Sequence, residues 1–425
     1  MKTRAGAAGD LALIFALKAA VLVWVVAAGF THVSDDDYAR VVIAESFAHA
    51  PKLDPSGTSW LPLPFWLYGG AMMAFGRSLA TARVVACVLG ILATAPPYFA
   101  LRAVGAGRAA AVVGVTIAMT LPWSAWTGVA PIPEALTAGL VAAAAIATAR
   151  PELAMFAAVC ALAASLSRYE AWPACAVVAA LALLRGRRVG AATVAAMGPV
   201  LWIAWNAHTH GDPMHFVARV AAFRQASGAA AAPLAEKLLG FPGALVRGAS
   251  GVAGLGAFGL AVLAMREVRA RWLMPVVTAA SIVVFLVIGD VRDGAPTHHP
   301  ERALLPVWWI LAMFGVDAAE AIARRAARRV PAGLVLGASA ALTAAFVAQS
   351  ARYWTSFPGR GAEDRAAQVA RGHALRARDP ARIEVAPCTY EHFALLAAFG
   401  APERAEIAPM TRAPVSSSCP RVLEK

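Results

Sequence analysis

Charge is scarce in this chain. Only 15% of its 425 residues are Asp, Glu, Lys or Arg, while 60% are apolar and the mean hydropathy is +0.62. An average soluble domain carries about 25% charged residues, so this composition leaves little room for a water-soluble enzyme. Cysteine is also sparse: five residues cannot make a disulfide scaffold, and Cys87, Cys160 and Cys175 lie inside apolar runs where a thiol is a small hydrophobe. No internal repeat of fixed length is visible, and no pair of broken helices of the kind that marks inverted-repeat transporters. The cytoplasmic side has no glycine-rich nucleotide loop, and neither histidine-rich segment has a fixed ligand spacing such as HExxH. The net charge of +13 would ordinarily raise nucleic acid as a partner; topology explains the excess better.

What the chain has in abundance is apolar runs. A membrane-spanning helix needs about 20 mostly apolar residues, and scanning predicts about eleven: 11–30, 79–101, 109–121, 132–149, 153–167, 171–184, 189–206, 243–265, 272–289, 303–322 and 331–349. The first run lacks a small-residue cleavage site before His32 and reads as a retained helix. With a cytoplasmic N-terminus, alternate connections carry Arg102 and Arg108, then Arg150, then Arg185, Arg187 and Arg188, then Arg266, Arg269 and Arg271, then Arg324, Arg325, Arg328 and Arg329. That is the positive-inside pattern. The opposite connections hold Asp35, Asp36, Asp37, Glu45, Asp54, Glu134, Glu170, Asp212, Asp290, Asp293 and Glu301, together with the histidines. The orientation rule is nearly blind to acids, so their concentration on the outer face points to function.

The fold class expected is therefore an all-α polytopic membrane protein. Residues 1–350 form its membrane domain, with amphipathic helices in the first outer loop (31–78), and residues 351–425 a small soluble α/β domain outside the membrane. In that tail, 382–388 reads as a strand, Tyr390 to Phe399 as a helix and 405–408 as a second short run. Cys388 and Cys419 fall outside, where an oxidising compartment permits a disulfide.

Chemistry concentrates at four places. Ser34 precedes three aspartates that open an amphipathic helix. Acids in a first turn complement the helix dipole, with Ser34 as cap and Asp37 three residues on. A carboxylate crowded by others can equally act as a general base. Next, Trp60 to Tyr68 interleaves aromatics with Pro62 and Pro64; the aromatics suit an interfacial belt and the prolines fix a rigid entry into a helix. Third, Arg168-Tyr169-Glu170 joins two short spans, which at 1.5 Å per residue cover only about 21 to 23 Å of a ~30 Å core. The turn should sit below the outer surface. There Arg168 either pairs with Glu170 or meets a lipid phosphate. Fourth, residues 290–302 are dense in acids and histidines and end in Arg302, a cation at a helix entrance. His298 and His299 with the nearby acids, or His208, His210, Asp212 and His215, are conceivable metal ligands, so no cofactor is firmly implied and a divalent ion stays open. Residues 208–225 read as a polar loop followed by an interfacial amphipathic helix.

Together these segments resemble the GT-C superfamily, multi-span glycosyltransferases that use lipid-phosphate-linked sugars. The resemblance rests on Asp36-Asp37-Tyr38 in the first outer loop, on Trp60-Leu61-Pro62-Leu63-Pro64, and on His299-Pro300-Glu301-Arg302 before Leu304-Leu305-Pro306, and it covers most of residues 1–310. It looks nearest to the protein O-mannosyltransferase and aminoarabinose transferase group. It implies Asp36 as general base, with Asp35 chosen instead if the register shifts by one and Asp37 completing the acidic set. It further implies Arg168 and Arg302 at the donor phosphate, with Tyr38, Glu170, His299 and Glu301 in the substrate site. The reaction implied is attack by an acceptor hydroxyl or amine on a polyprenyl-phosphate sugar, inverting, with mannose suggested by the nearest relatives. Partners would be that donor, a glycan, lipid or protein acceptor, and membrane lipids, but no nucleic acid. The Ala- and Arg-rich, Lys-poor composition suggests a bacterium with a GC-rich genome, and hence the cytoplasmic (inner) membrane. The rival is a transporter or flippase of lipid-linked saccharides, which should show polar helices at mid-membrane depth; here the span centres are Ala, Val and Leu, and polarity lies at the outer ends.

Overall fold

The computed structural model describes residues 2–226, 232–294, 299–326, 332–355, 357, 363–409 and 419–424. The first apolar run forms α1 (Lys2–Ala27), and the three aspartates begin α2 (Asp35–His49). The Asp37 carboxylate turns back to accept from the backbone N–H groups of Val33 at 2.8 Å and Ser34 at 3.3 Å, one half of a capping box. Pro62 and Pro64 start a further helix, α3 (Leu63–Phe75), before the second predicted span. That span is two helices, α4 (Leu79–Leu92) and α5 (Ala95–Ala103), separated ahead of Pro96. Then follow α6 (Arg108–Thr120), α7 (Pro122–Thr127), α8 (Glu134–Ala147), α9 (Ala154–Ser165), α10 (Trp172–Gly186) and α11 (Val189–His210). His208 and His210 belong to the end of α11 rather than to a loop, because nothing before Gly211 stops the helix; Gly211 does so at φ +70°. The amphipathic segment is α12 (His215–Ala226).

The predicted span 243–265 is not one helix. It comprises part of α13 (Leu234–Gly248) and α14 (Ser250–Ala261), which meet at 98°. The remaining long runs are α15 (Arg266–Val291), α16 (Pro300–Ala326) and α17 (Ala332–Trp354). Every predicted run thus coincides with helix, but the span count differs. Among the described residues five helices are long and apolar enough to cross a membrane, or six with the bent pair as one. The 14 residues of α8 can be short because that helix is enclosed by protein. A helix apolar on all sides belongs in a core, and α16 is buried along most of its length, packed between α6, α8, α14 and α15. Small residues permit the close approach: a Cβ on Gly315 would lie 2.6 Å from the Leu255 carbonyl. Large apolar side chains such as Trp24, Phe75 and Leu184 point outward instead, as a lipid-facing surface requires.

The tail forms α18 (Ala366–Arg378), β1 (Ile383–Ala386), α19 (His392–Phe399), β2 (Ala405–Ile407) and β3 (Arg421–Glu424). The sheet order is β2-β1-β3, with β1 parallel to β2 and antiparallel to β3. Leu375, Ile383, Val385, Leu395, Leu396 and Phe399 make its core, and a disulfide joins Cys388 to Cys419. Ala394 and Ala397 of α19 pack on Tyr38, Val41 and Ala44 of α2. The tail therefore sits against the helix that carries the aspartates.

Candidate active site

A cavity of about 400 Å³ opens beside α2. Its walls come from the four polar segments separated in sequence by up to 266 residues, from Asp36 to Arg302. Asp36 and Arg40 contribute from α2, Ser59 and Trp60 from the proline-rich segment, Arg168 and Glu170 from the turn between α9 and α10, and Arg302 from the start of α16. Apolar residues Phe216, Val217, Val220 and Phe223 cover it from α12.

The three aspartates part company. Asp35 pairs with Arg365 of the tail through two parallel bonds of 2.8 Å. Asp37 is 1% exposed and held in the cap, where burial pushes its carboxyl up to about 7 against the pull of Arg302 and the Val33 N–H. Asp36 alone lines the cavity, with its side chain half exposed and its Oδ2 3.9 Å from Arg302. Helix geometry enforces this division, since consecutive residues point about 100° apart.

The arginines are fixed by buried carboxylates. Glu134, in the first turn of α8 and fully enclosed, accepts from Arg302 Nε at 2.7 Å and from Arg168 Nη1, both at Oε1. Arg168 also donates through Nε to Glu170 at 3.1 Å, so the expected pair exists, and its arginine also lines the cavity. Within the turn Glu170 and Ala171 are buried, and Arg168 and Tyr169 partly so. Tyr169 ties it to the neighbouring segments, donating to the Ser59 carbonyl at 2.6 Å, accepting from Trp202 at 2.9 Å and stacking on Phe216 at 4.9 Å.

Other predicted residues lie elsewhere. Tyr38 is buried against α19, its hydroxyl 3.4 Å from His32 Nδ1. The His299 ring packs against Trp123 and Phe357, and Glu301 beside Gly248; none of the three lines the cavity. His298 falls outside the described residues, as do Arg328 and Arg329 of the last basic cluster. Among the described residues, three ligand-type side chains converge only at Cys388, Glu391 and Cys419. Their two sulfurs are bonded to each other, so no thiolate is available and the group does not fit a metal. The histidines of 208–215 form no such cluster; His210 and His215 stack their rings at 4.0 Å.

Three cavity or supporting residues were not singled out from sequence. Glu134 carries no local signal, since its partners are 34 and 168 residues away. Arg224 joins α12 to Asp290 at 2.7 Å. Arg40 could have been found, because it stands four residues after Asp36 and so on the same helix face. Its guanidinium lies 4.4 Å over the Trp60 ring, and burial lowers its proton affinity only to about 10, leaving it charged.

No family model matches the chain, and no curated protein matches it by sequence. Solved structures do resemble it. ArnT from Cupriavidus metallidurans bound to undecaprenyl phosphate matches with a TM-score of 0.61 at 15% identity, over 93% of this chain and 89% of that one. The apo state of the same protein gives 0.59 at 15% identity, over 96% and 90%. The archaeal oligosaccharyltransferase AglB from Archaeoglobus fulgidus, in complex with an inhibitory peptide and a dolichol-phosphate, gives 0.51 at 12% identity, over 86% of this chain and 58% of that one. The chain has the fold of the GT-C enzymes.

Proposed function

We propose that this protein is an integral-membrane glycosyltransferase that moves a sugar from a polyprenyl phosphate to an acceptor hydroxyl or amine at the outer face of the cytoplasmic membrane. The observation that carries the reading is one half-exposed carboxylate, Asp36, with Arg302 at 3.9 Å, facing a cavity walled by arginines and roofed by apolar side chains. The acceptor oxygen or nitrogen attacks the anomeric carbon while the bond from that carbon to the phosphate oxygen breaks, with inversion. Asp36 takes the acceptor proton, and the electron pair leaves on the lipid phosphate. Arg302 and Arg168, held in place by Glu134 and Glu170, face the charge that develops there. The aromatic and aliphatic wall of α12 suits a polyprenyl chain. Undecaprenyl phosphate and dolichol-phosphate in the similar structures support a lipid donor. On this reading residues 1–350 are the membrane unit and 351–425 an outer unit bearing on α2.

The test is transfer of labelled sugar from polyprenyl-phosphate mannose and polyprenyl-phosphate glucose to mixed acceptors by purified protein, with and without chelator. Asp36→Asn is expected to lower the rate on the order of 10²- to 10⁴-fold. Transfer that survives Asp36→Asn refutes the base. No transfer from any lipid donor, together with movement of lipid-linked sugar across liposomes, establishes the transporter reading instead.

A further inference from the structure

Four guanidinium groups line the cavity, and they differ in what neutralises them. Arg168 faces Glu134 and Glu170, Arg302 faces Glu134 with Asp36 at 3.9 Å, and Arg224 faces Asp290 at 2.7 Å. Arg40 makes no ion pair with any described residue, and its buried Nε has no hydrogen-bond partner, although the residue is only 8% exposed. Glu134 and Asp36 act on it only from beyond ion-pair distance, and a buried charge with no carboxylate in contact is costly unless something brings a negative group up to it. What Arg40 has instead is Trp60 beneath it at 4.4 Å. An aromatic face holds a guanidinium without using its N–H groups, which stay available in the plane as a fork for oxygen atoms.

We propose that Arg40, seated on Trp60, is the anion seat of this cavity and grips two oxygens of a phosphate group on the bound substrate. The inference rests on the transferase reading, to which it adds the residue that receives the phosphate. Arg168 and Arg302 are then the electrostatic surround, already committed to Glu134, and Arg40 makes the direct contact. Its spacing suits that role. Residues four apart on a helix share a face, so Arg40 presents a phosphate on the same side of α2 as Asp36, and both line the cavity. A phosphorylated acceptor would present the same chemistry, and the two sources separate by experiment.

Full-length protein in detergent is assayed for displacement of a fluorescent undecaprenyl phosphate by unlabelled undecaprenyl phosphate, undecaprenol, glucose 1-phosphate and inorganic phosphate. Arg40→Gln should weaken undecaprenyl phosphate about 10- to 100-fold, and Arg40→Lys by less, since a lysine supplies charge without the fork. Trp60→Leu should act in the same direction, and undecaprenol should bind all variants alike. Unchanged phosphate binding in a monodisperse Arg40→Gln or Arg40→Lys protein overturns the seat. So does a loss that extends equally to undecaprenol, or wild type that binds no phosphate compound. If Arg40→Gln aggregates, Arg40→Lys and Trp60→Leu decide. Arg40-dependent binding of glucose 1-phosphate with no preference for the lipid keeps the seat and defeats the lipid-donor reading instead.

Discussion

Glu45 lies further along α2 than Asp36, fully buried, and neither of its carboxylate oxygens has a hydrogen-bond partner. Burial holds its carboxyl well above the usual carboxylate range; Arg376 and Arg77 oppose that shift and Glu403 adds to it. A group whose proton is bound more tightly in the folded state contributes stability fully below its unfolded value of 4.5, and loses it as pH rises towards the folded one. Wild type should therefore lose stability as pH rises above 4.5, and Glu45→Gln, which cannot ionise, should not. The expected gain at the alkaline end is about 1 to 3 kcal/mol, read as the difference in melting temperature between the two proteins across that range. A difference independent of pH would assign the effect to packing. The same helix marks what could be read from sequence. Three aspartates in a row announce a site, but the choice of Asp36 depends on Arg365 capturing Asp35 and on the cap enclosing Asp37. The first of those partners is 330 residues away, beyond any local pattern.

α2 has two working sides. One presents Asp36 and Arg40 to the cavity; the other carries Tyr38, Val41 and Ala44 against α19. Arg365, 4% exposed, ends the contact with its fork on Asp35, the residue before Asp36. The tail thereby holds α2 in register, and its effect on the proposed chemistry at Asp36 should pass through position rather than charge at the site. Arg365→Asp alone should cut the rate of transfer on the order of tenfold or more, because breaking a partly buried pair leaves a carboxylate uncompensated. The exchange Asp35→Arg with Arg365→Asp should restore much of it, while KM for the lipid donor stays near wild type. A double variant no better than the single one would show that Asp35 matters in its own right. Elements of this kind were partly legible. The strand, helix and strand of the tail follow their apolar periods. The 98° bend at Gly248–Ser250 does not, because averaged over the length of a span the two helices still read as one apolar stretch. The 13 residues of α3 are announced only by the helix entry at Pro62 and Pro64, because a search for membrane spans passes over so short a run.

Across the protein, residues allotted to one membrane side by charge alone converge at one end. Asp36, Arg168, Glu170 and Arg302 share the cavity. The arginine-rich connections contact one another or neighbouring helix ends elsewhere: Arg108 with Asp10, Arg185 with the Thr148 carbonyl, Arg271 with Asp317, Arg325 with Glu267. The sorting is legible from composition because lysine and arginine resist translocation, and the pairings are not, because they depend on which helix ends become neighbours. The proposed orientation puts the cavity and the tail outside and the arginine clusters inside. Cysteines introduced one at a time, with Cys87, Cys160 and Cys175 replaced by alanine, test it in intact cells. A membrane-impermeant maleimide should label Leu53→Cys, which is 68% exposed near the cavity loop, without permeabilisation. Arg187→Cys, at the exposed turn after α10, should react only once the membrane is opened. Labelling in the reverse order would put the cavity on the cytoplasmic side, within reach of nucleotide sugars, and would remove the reason for a lipid-linked donor. Labelling of both positions in intact cells would break the alternation on which the assignment of sides depends. The expected order makes the outer leaflet the source of the sugar, since only a donor already carried across the membrane on a lipid can reach Asp36 there.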